Sequence, residues 1–108
     1  MENFEQRWID TETMLRERFG KLPDMEGILF LIGINELGEV PGRKFSKEQK
    51  QDLMHIAVCK LLSQRGYYEF EGIDGDGWPH YMMVKKPEVE NMAGQERMLK
   101  ECIVEYFS

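Results

Sequence analysis

Residues 67–81 have the sequence YYEFEGIDGDGWPHY, and this stretch predicts a β-hairpin. Aspartate and glycine alternate from Asp74 to Gly77, and both residue types suit the positive φ angles of a tight hairpin turn. Strand alternation predicts one shared face for the side chains of Tyr68, Phe70, Tyr81 and Met83. A four-residue turn implies three cross-strand pairs: Ile73 with Trp78, Glu71 with His80, and Phe70 with Tyr81.

Four helical segments flank this hairpin, three before it and one after it. The third has the clearest start, because Ser46 and Gln49 are spaced as in a capping box. Gly20, Gly38 and Gly66 stand where glycine commonly ends a helix. We therefore predict an α+β, mainly helical fold, with the hairpin between helices three and four. The predicted helices cover Asn3–Phe19, Asp24–Leu37, Ser46–Arg65 and Met92–Phe107.

The second helix is apolar on nearly every side, which is typical of a buried central helix. Gly27 and Gly33 lower its helix propensity, and we expect them to let another backbone approach closely. A strand over residues 27–34 is an alternative, because a short apolar run fits both structures.

Composition predicts that residues 1–108 form a single small globular domain that is soluble and cytoplasmic. The chain has 108 residues, of which 42% are apolar and 31% charged, values typical of a globular chain. Its start lacks the basic and apolar regions of a secretory signal. Two cysteines, Cys59 and Cys102, predict reduced thiols rather than a disulfide framework.

Patterns that carry catalysis or metal binding are weak in this chain. His55 and Cys59 share a helix face, but His80 and Cys102 do not complete a spacing typical of zinc sites. Neither cysteine is predicted at a helix N-terminus, where the pKa of a thiol falls. We therefore expect no catalytic residue, metal or cofactor, and a small enzyme is the least supported function.

The segments Leu61–Tyr68 and Gly77–Tyr81 resemble the recognition-helix end and the wing of winged-helix proteins. The shared features are a leucine-rich helix end, a glycine, an aromatic strand, a glycine-containing tip and a returning aromatic strand. The resemblance implies binding of nucleic acid, with phosphate contacts from the start of helix three. The residues placed there are Arg43, Lys44, Lys47 and Lys50.

The charge of the chain favours a protein partner over nucleic acid. The net charge is −6, and the hairpin tip has no arginine or lysine to contact phosphate. We therefore predict a non-catalytic protein-interaction module that presents an aromatic, acidic hairpin to an unidentified protein, with no membrane contact and a homodimer as a further option. The residues predicted to bind the partner are Trp78, His80, Tyr81, Tyr67 and Glu69.

Overall fold

Four helices and one two-stranded antiparallel sheet form the computed structural model, which describes residues 3–38 and 44–108. The predicted fold class is confirmed, because the hairpin lies between the third and fourth helices. The elements in chain order are α1 (Phe4–Phe19), α2 (Met25–Leu37), α3 (Lys47–Ser63), β1 (Tyr68–Ile73), β2 (Pro79–Met83) and α4 (Met92–Tyr106).

Local backbone signals set the helix ends. At the start of α3 the amide of Gln49 donates to Ser46 Oγ at 3.1 Å, and the amide of Ser46 donates to Gln49 Oε1 at 2.9 Å. This is the predicted capping box. α1 is followed by Gly20 at φ 80°, a left-handed conformation that costs glycine little. α3 ends at Ser63, earlier than the predicted Arg65, because the chain turns at residues 64–66.

The second predicted helix is the helix α2, so the alternative of a strand over residues 27–34 is wrong. Ile28, Ile32 and Ile34 are almost completely buried, whereas Phe30 and Leu31 are half-buried. α2 is therefore not enclosed on every side. Its first turn begins after Asp24, as predicted, and Gly38 follows its last residue at φ 83°.

Contacts divide the described chain into two compact units. One comprises residues 3–24 and 88–108 and contains α1 and α4. In this unit the guanidinium of Arg97 lies 3.9 Å from the ring centroid of Phe4, and Lys100 Nζ lies 5.4 Å from that of Trp8. The other unit comprises residues 25–38 and 44–87 and contains α2, α3 and the hairpin.

In the second unit α2 and α3 pack closely. A methyl group added at Gly33 would overlap the backbone carbonyl of Leu53 in α3, so this glycine has the predicted role of admitting another backbone. Next to this contact is a buried cluster of Ile34, Phe45 and Leu53. Three partly buried side chains pack against the cluster: Phe30, Leu37 and Trp78.

The hairpin has the predicted face but not the whole predicted register. Phe70 pairs with Tyr81, and Tyr68 with Met83, which confirms their shared face. The register then shifts between Phe70 and Gly72, which places Glu71 in a β-bulge. As a result His80 lies opposite Gly72, which adopts φ 140°, and Pro79 lies opposite Ile73.

Two predicted cross-strand pairs are therefore wrong. Glu71 does not lie opposite His80, and Ile73 does not lie opposite Trp78. The reason is the bulge, because one extra residue on β1 moves every later partner on β2 by one position. The loop accordingly spans residues 74–78, and the backbone amide of Asp74 donates to the carbonyl of Trp78 at 2.9 Å.

Within the described residues, no helix combines the length and the apolar character that crossing a bilayer would require.

Candidate functional site

A pocket of about 310 Å³ lies between α3 and the tip half of the hairpin. It is lined by both histidines of the chain, together with Cys59, Tyr81 and two aspartates. α3 contributes Asp52, His55, Ile56 and Cys59. The hairpin contributes Asp74, Trp78, Pro79, His80 and Tyr81.

The α3 wall follows from helical spacing. Asp52, His55 or Ile56, and Cys59 recur every three or four residues and so line one helix face. His55 Nε2 lies 3.6 Å from Cys59 Sγ. Burial raises the pKa of the Cys59 thiol, so the thiol stays protonated at neutral pH. A neutral thiol is a weaker nucleophile than a thiolate.

The hairpin wall is fixed by the carboxylate of Asp74. Its Oδ1 accepts hydrogen bonds from the amides of Asp76 and Trp78, at 2.9 and 3.0 Å. Its Oδ2 lies 2.8 Å from His80 Nε2. The hydrogen bond with His80, followed by the bond from the Trp78 amide, lowers the pKa of Asp74. Asp74 is therefore a fixed negative charge at the pocket rim.

Tyr81 joins the pocket to the exposed face of the hairpin. Its side chain lines the pocket, and its ring meets that of Phe70 edge-on with 5.6 Å between the centroids. Burial raises the pKa of Tyr81, and the negative charge of Glu36 raises it further. The phenol of Tyr81 is thus a neutral hydrogen-bonding group next to acidic neighbours.

The structure brings together three of the five residues predicted to bind a partner. Trp78, His80 and Tyr81 line the pocket, although Trp78 is half-buried against the cluster of α2 and α3 rather than exposed at the tip. Tyr67 precedes β1, and Lys85 Nζ lies 5.0 Å from its ring centroid. Glu69 is exposed opposite Met82. Neither Tyr67 nor Glu69 lines the pocket.

The sequence did not predict that side chains of α3 line this pocket. The spacing of Asp52, His55 and Cys59 shows that they share a face of α3, but not that the hairpin folds over that face. The predicted phosphate-binding residues are elsewhere. Lys44, Lys47 and Lys50 are exposed at the beginning of α3, and Arg43 is outside the described residues.

The pocket does not have the arrangement of a metal site. Across residues 3–38 and 44–108, no three His, Cys, Asp or Glu side chains are placed to hold one ion. The pocket instead combines carboxylates with aromatic and aliphatic walls.

Next to the pocket the hairpin exposes apolar side chains. Eight large apolar residues are exposed in the described chain, and five of them lie between Phe70 and Val84. On the face shared with Tyr81, the exposed fractions are 56% for Phe70, 66% for Ile73 and 52% for Met83. We call these three residues the apolar ledge. On the same face Pro79 is buried and Tyr81 half-buried, so the ledge borders the pocket.

Comparison with known proteins gives a similarity over part of another protein but no family. No protein-family model matches the chain, and no solved structure matches it. The chain is similar to a Transportin-1 from Oryza sativa subsp. japonica, with 28% identity over 102 residues. The match covers 88% of this chain but only 11% of that protein.

Proposed function

We propose that this chain is a non-catalytic protein-interaction module whose hairpin binds an extended segment of a partner protein. The observation that carries the proposal is the apolar ledge, because three large apolar side chains on one sheet face are more than half exposed. Exposed apolar side chains grouped together mark interaction surfaces more often than isolated ones do.

The sheet itself favours an extended partner. β1 pairs only with β2 among the described strands, so its outer edge can accept another strand through backbone hydrogen bonds. A strand added there would place alternate side chains beside Phe70 and Ile73. Backbone pairing would then supply affinity, and the ledge would select apolar side chains.

The charge of the hairpin defines the partner further. Residues 67–84 contain Glu69, Glu71, Asp74 and Asp76 but no lysine or arginine. A basic segment with apolar side chains complements this surface, whereas an acidic segment or a phosphate backbone is repelled. The similarity to part of a Transportin-1 agrees with a function in protein interaction.

A selection from a random peptide library tests this function. Peptides are selected on the wild-type protein, and their affinities are measured by fluorescence anisotropy. The ledge variant Phe70→Ser/Ile73→Ser should weaken binding by at least about tenfold, because it removes two large apolar contacts. Both side chains are more than half exposed, so the variant should retain its fold, which circular dichroism checks.

The matched control is Met92→Ser on α4. Met92 is 83% exposed but is not on the hairpin, so its replacement should leave peptide affinity unchanged. The proposal is wrong if no peptide is enriched, or if the enriched peptides bind the wild type and the ledge variant equally well.

A further inference from the structure

We propose that the pocket between α3 and the hairpin receives a lysine or arginine side chain of the bound segment. This inference rests on the proposed function, and it names the group that the partner must carry. The reasons are the charge of the rim, the aromatic walls, the size of the pocket and its position beside the apolar ledge.

The rim carries two carboxylates, of which Asp52 is available to a ligand, whereas Asp74 is already held by His80 and two backbone amides. Asp52 is exposed and has no hydrogen-bond or ion-pair partner within the described residues. Asp74 is ionised at neutral pH, because its hydrogen bonds lower its pKa. No lysine or arginine lines the pocket. A cation entering the pocket gains a charge-assisted hydrogen bond with Asp52, and the negative charge of Asp74 attracts it further.

The walls suit the rest of a long basic side chain. Trp78 and Tyr81 offer aromatic rings, over whose faces a guanidinium or ammonium group is attracted. Ile56 and Pro79 are buried apolar residues that can contact the methylene stem. Arginine is the better fit of the two, because its flat guanidinium can stack on a ring while it donates to carboxylates.

Size and position fit one side chain delivered from the ledge. The volume of about 310 Å³ is at the small end of ligand pockets, which accommodates a side chain better than a large cofactor. Tyr81 lines the pocket and contacts Phe70 of the ledge. A segment that lies on the ledge therefore passes the pocket mouth.

The first test uses small probes and needs no peptide. n-Butylguanidinium and its neutral analogue n-butylurea are titrated into ¹⁵N-labelled protein and followed by NMR. The cation should shift the indole N–H of Trp78 saturably and bind about tenfold more tightly than the urea. Trp8 in α1 is the internal control, and its indole signal should not move.

Two charge variants make this test specific. Asp52→Asn should weaken guanidinium binding several-fold and leave urea binding unchanged, because it removes a rim charge. Glu17→Gln removes one negative charge on α1 and should have no effect. Equal binding of the cation and the urea, or equal shifts at both tryptophans, would overturn the proposal.

The second test connects the pocket to the partner segment. In a peptide whose binding depends on the ledge, each arginine is replaced in turn by citrulline, which has a similar shape but no charge. One replacement should cost about tenfold in affinity with the wild type and much less with Asp52→Asn.

The two proposals can fail separately. If ledge-dependent peptides bind but tolerate every citrulline, the pocket assignment is wrong and the interaction function stands. If no peptide binds but n-butylguanidinium does, the interaction function is wrong and the pocket remains a cation site.

Discussion

Asp74 is the residue on which the shape of the hairpin tip depends most. Its carboxylate accepts hydrogen bonds from two backbone amides of the loop and lies within hydrogen-bond distance of His80. The same carboxylate lies at the rim of the pocket. A short acceptor at this position satisfies amides that a turn leaves unpaired, which explains why aspartate is favoured here. The same group therefore organises the turn and supplies negative charge.

The hydrogen bonds of Asp74 predict a pH dependence of stability. The pKa of Asp74 is lower in the folded chain than the value of about 3.9 for a free aspartate. Its ionised form therefore stabilises the fold fully above that unfolded value, and this contribution is lost as the pH falls through the lowered folded-state pKa.

Asp74→Asn isolates this contribution. The asparagine oxygen can still accept the amides of Asp76 and Trp78, but the side chain cannot ionise. Between pH 7 and pH 2, the wild type should lose more free energy of unfolding than the variant, as measured by urea denaturation. Equal losses in the two proteins would contradict the role of the carboxylate charge.

At the scale of elements, the contact between α2 and α3 holds the second unit together. It depends on Gly33, because a larger residue would overlap the backbone of Leu53. Glycine within a helix lowers helix stability by about 0.5–1 kcal/mol relative to alanine. The close approach of α3 offsets this cost by bringing Leu53 into the cluster with Ile34 and Phe45.

Two glycine replacements should therefore have opposite effects. Gly33→Ala should lower the free energy of unfolding by about 1–3 kcal/mol, because the added methyl group overpacks the contact. Gly94→Ala in α4 is the matched control and should raise it by about 0.5–1 kcal/mol, because the new methyl makes only ordinary contacts with Asn91 and Val89. Denaturation with guanidinium chloride measures the free energy of unfolding of both variants and of the wild type. A Gly33→Ala protein as stable as the wild type would contradict the proposed close packing at Gly33.

At the scale of the whole molecule, the distribution of charge decides between kinds of partner. The chain has 20 acidic and 14 basic side chains, which gives a net charge of −6. Three exposed lysines stand at the beginning of α3, while the hairpin and the pocket rim carry carboxylates. Nucleic acid would meet these lysines against the net negative charge of the chain.

We accordingly expect no saturable binding of duplex or single-stranded DNA at about 150 mM salt, and at most weak binding at low salt. Fluorescence anisotropy over a range of salt concentrations measures this. Two results together would favour the winged-helix function instead. DNA binding would still be saturable at about 150 mM salt and would weaken steeply as more salt is added, and Lys47→Ala/Lys50→Ala would reduce it.

The sequence by itself determined most of the elements, because their signals are local, but it left residues 27–34 open between a helix and a strand. The capping box of Ser46 and Gln49 and the glycines at φ 80° and 83° act on their own or neighbouring residues. They therefore predict where helices begin and end without knowledge of the rest of the chain. The turn at Asp74–Gly77 and the shared face of Phe70 and Tyr81 are local in the same sense.

Only the tertiary structure decided the register and the site. The bulge at Glu71 changes the cross-strand partner of His80. Where a bulge forms depends on how the two strands twist and pack, which the alternation of side chains does not predict. The half-burial of Trp78 depends on a cluster formed by distant helices. The pocket joins residues 52–59 of α3 to residues 74–81 of the hairpin, and no local pattern predicts such a long-range meeting of side chains.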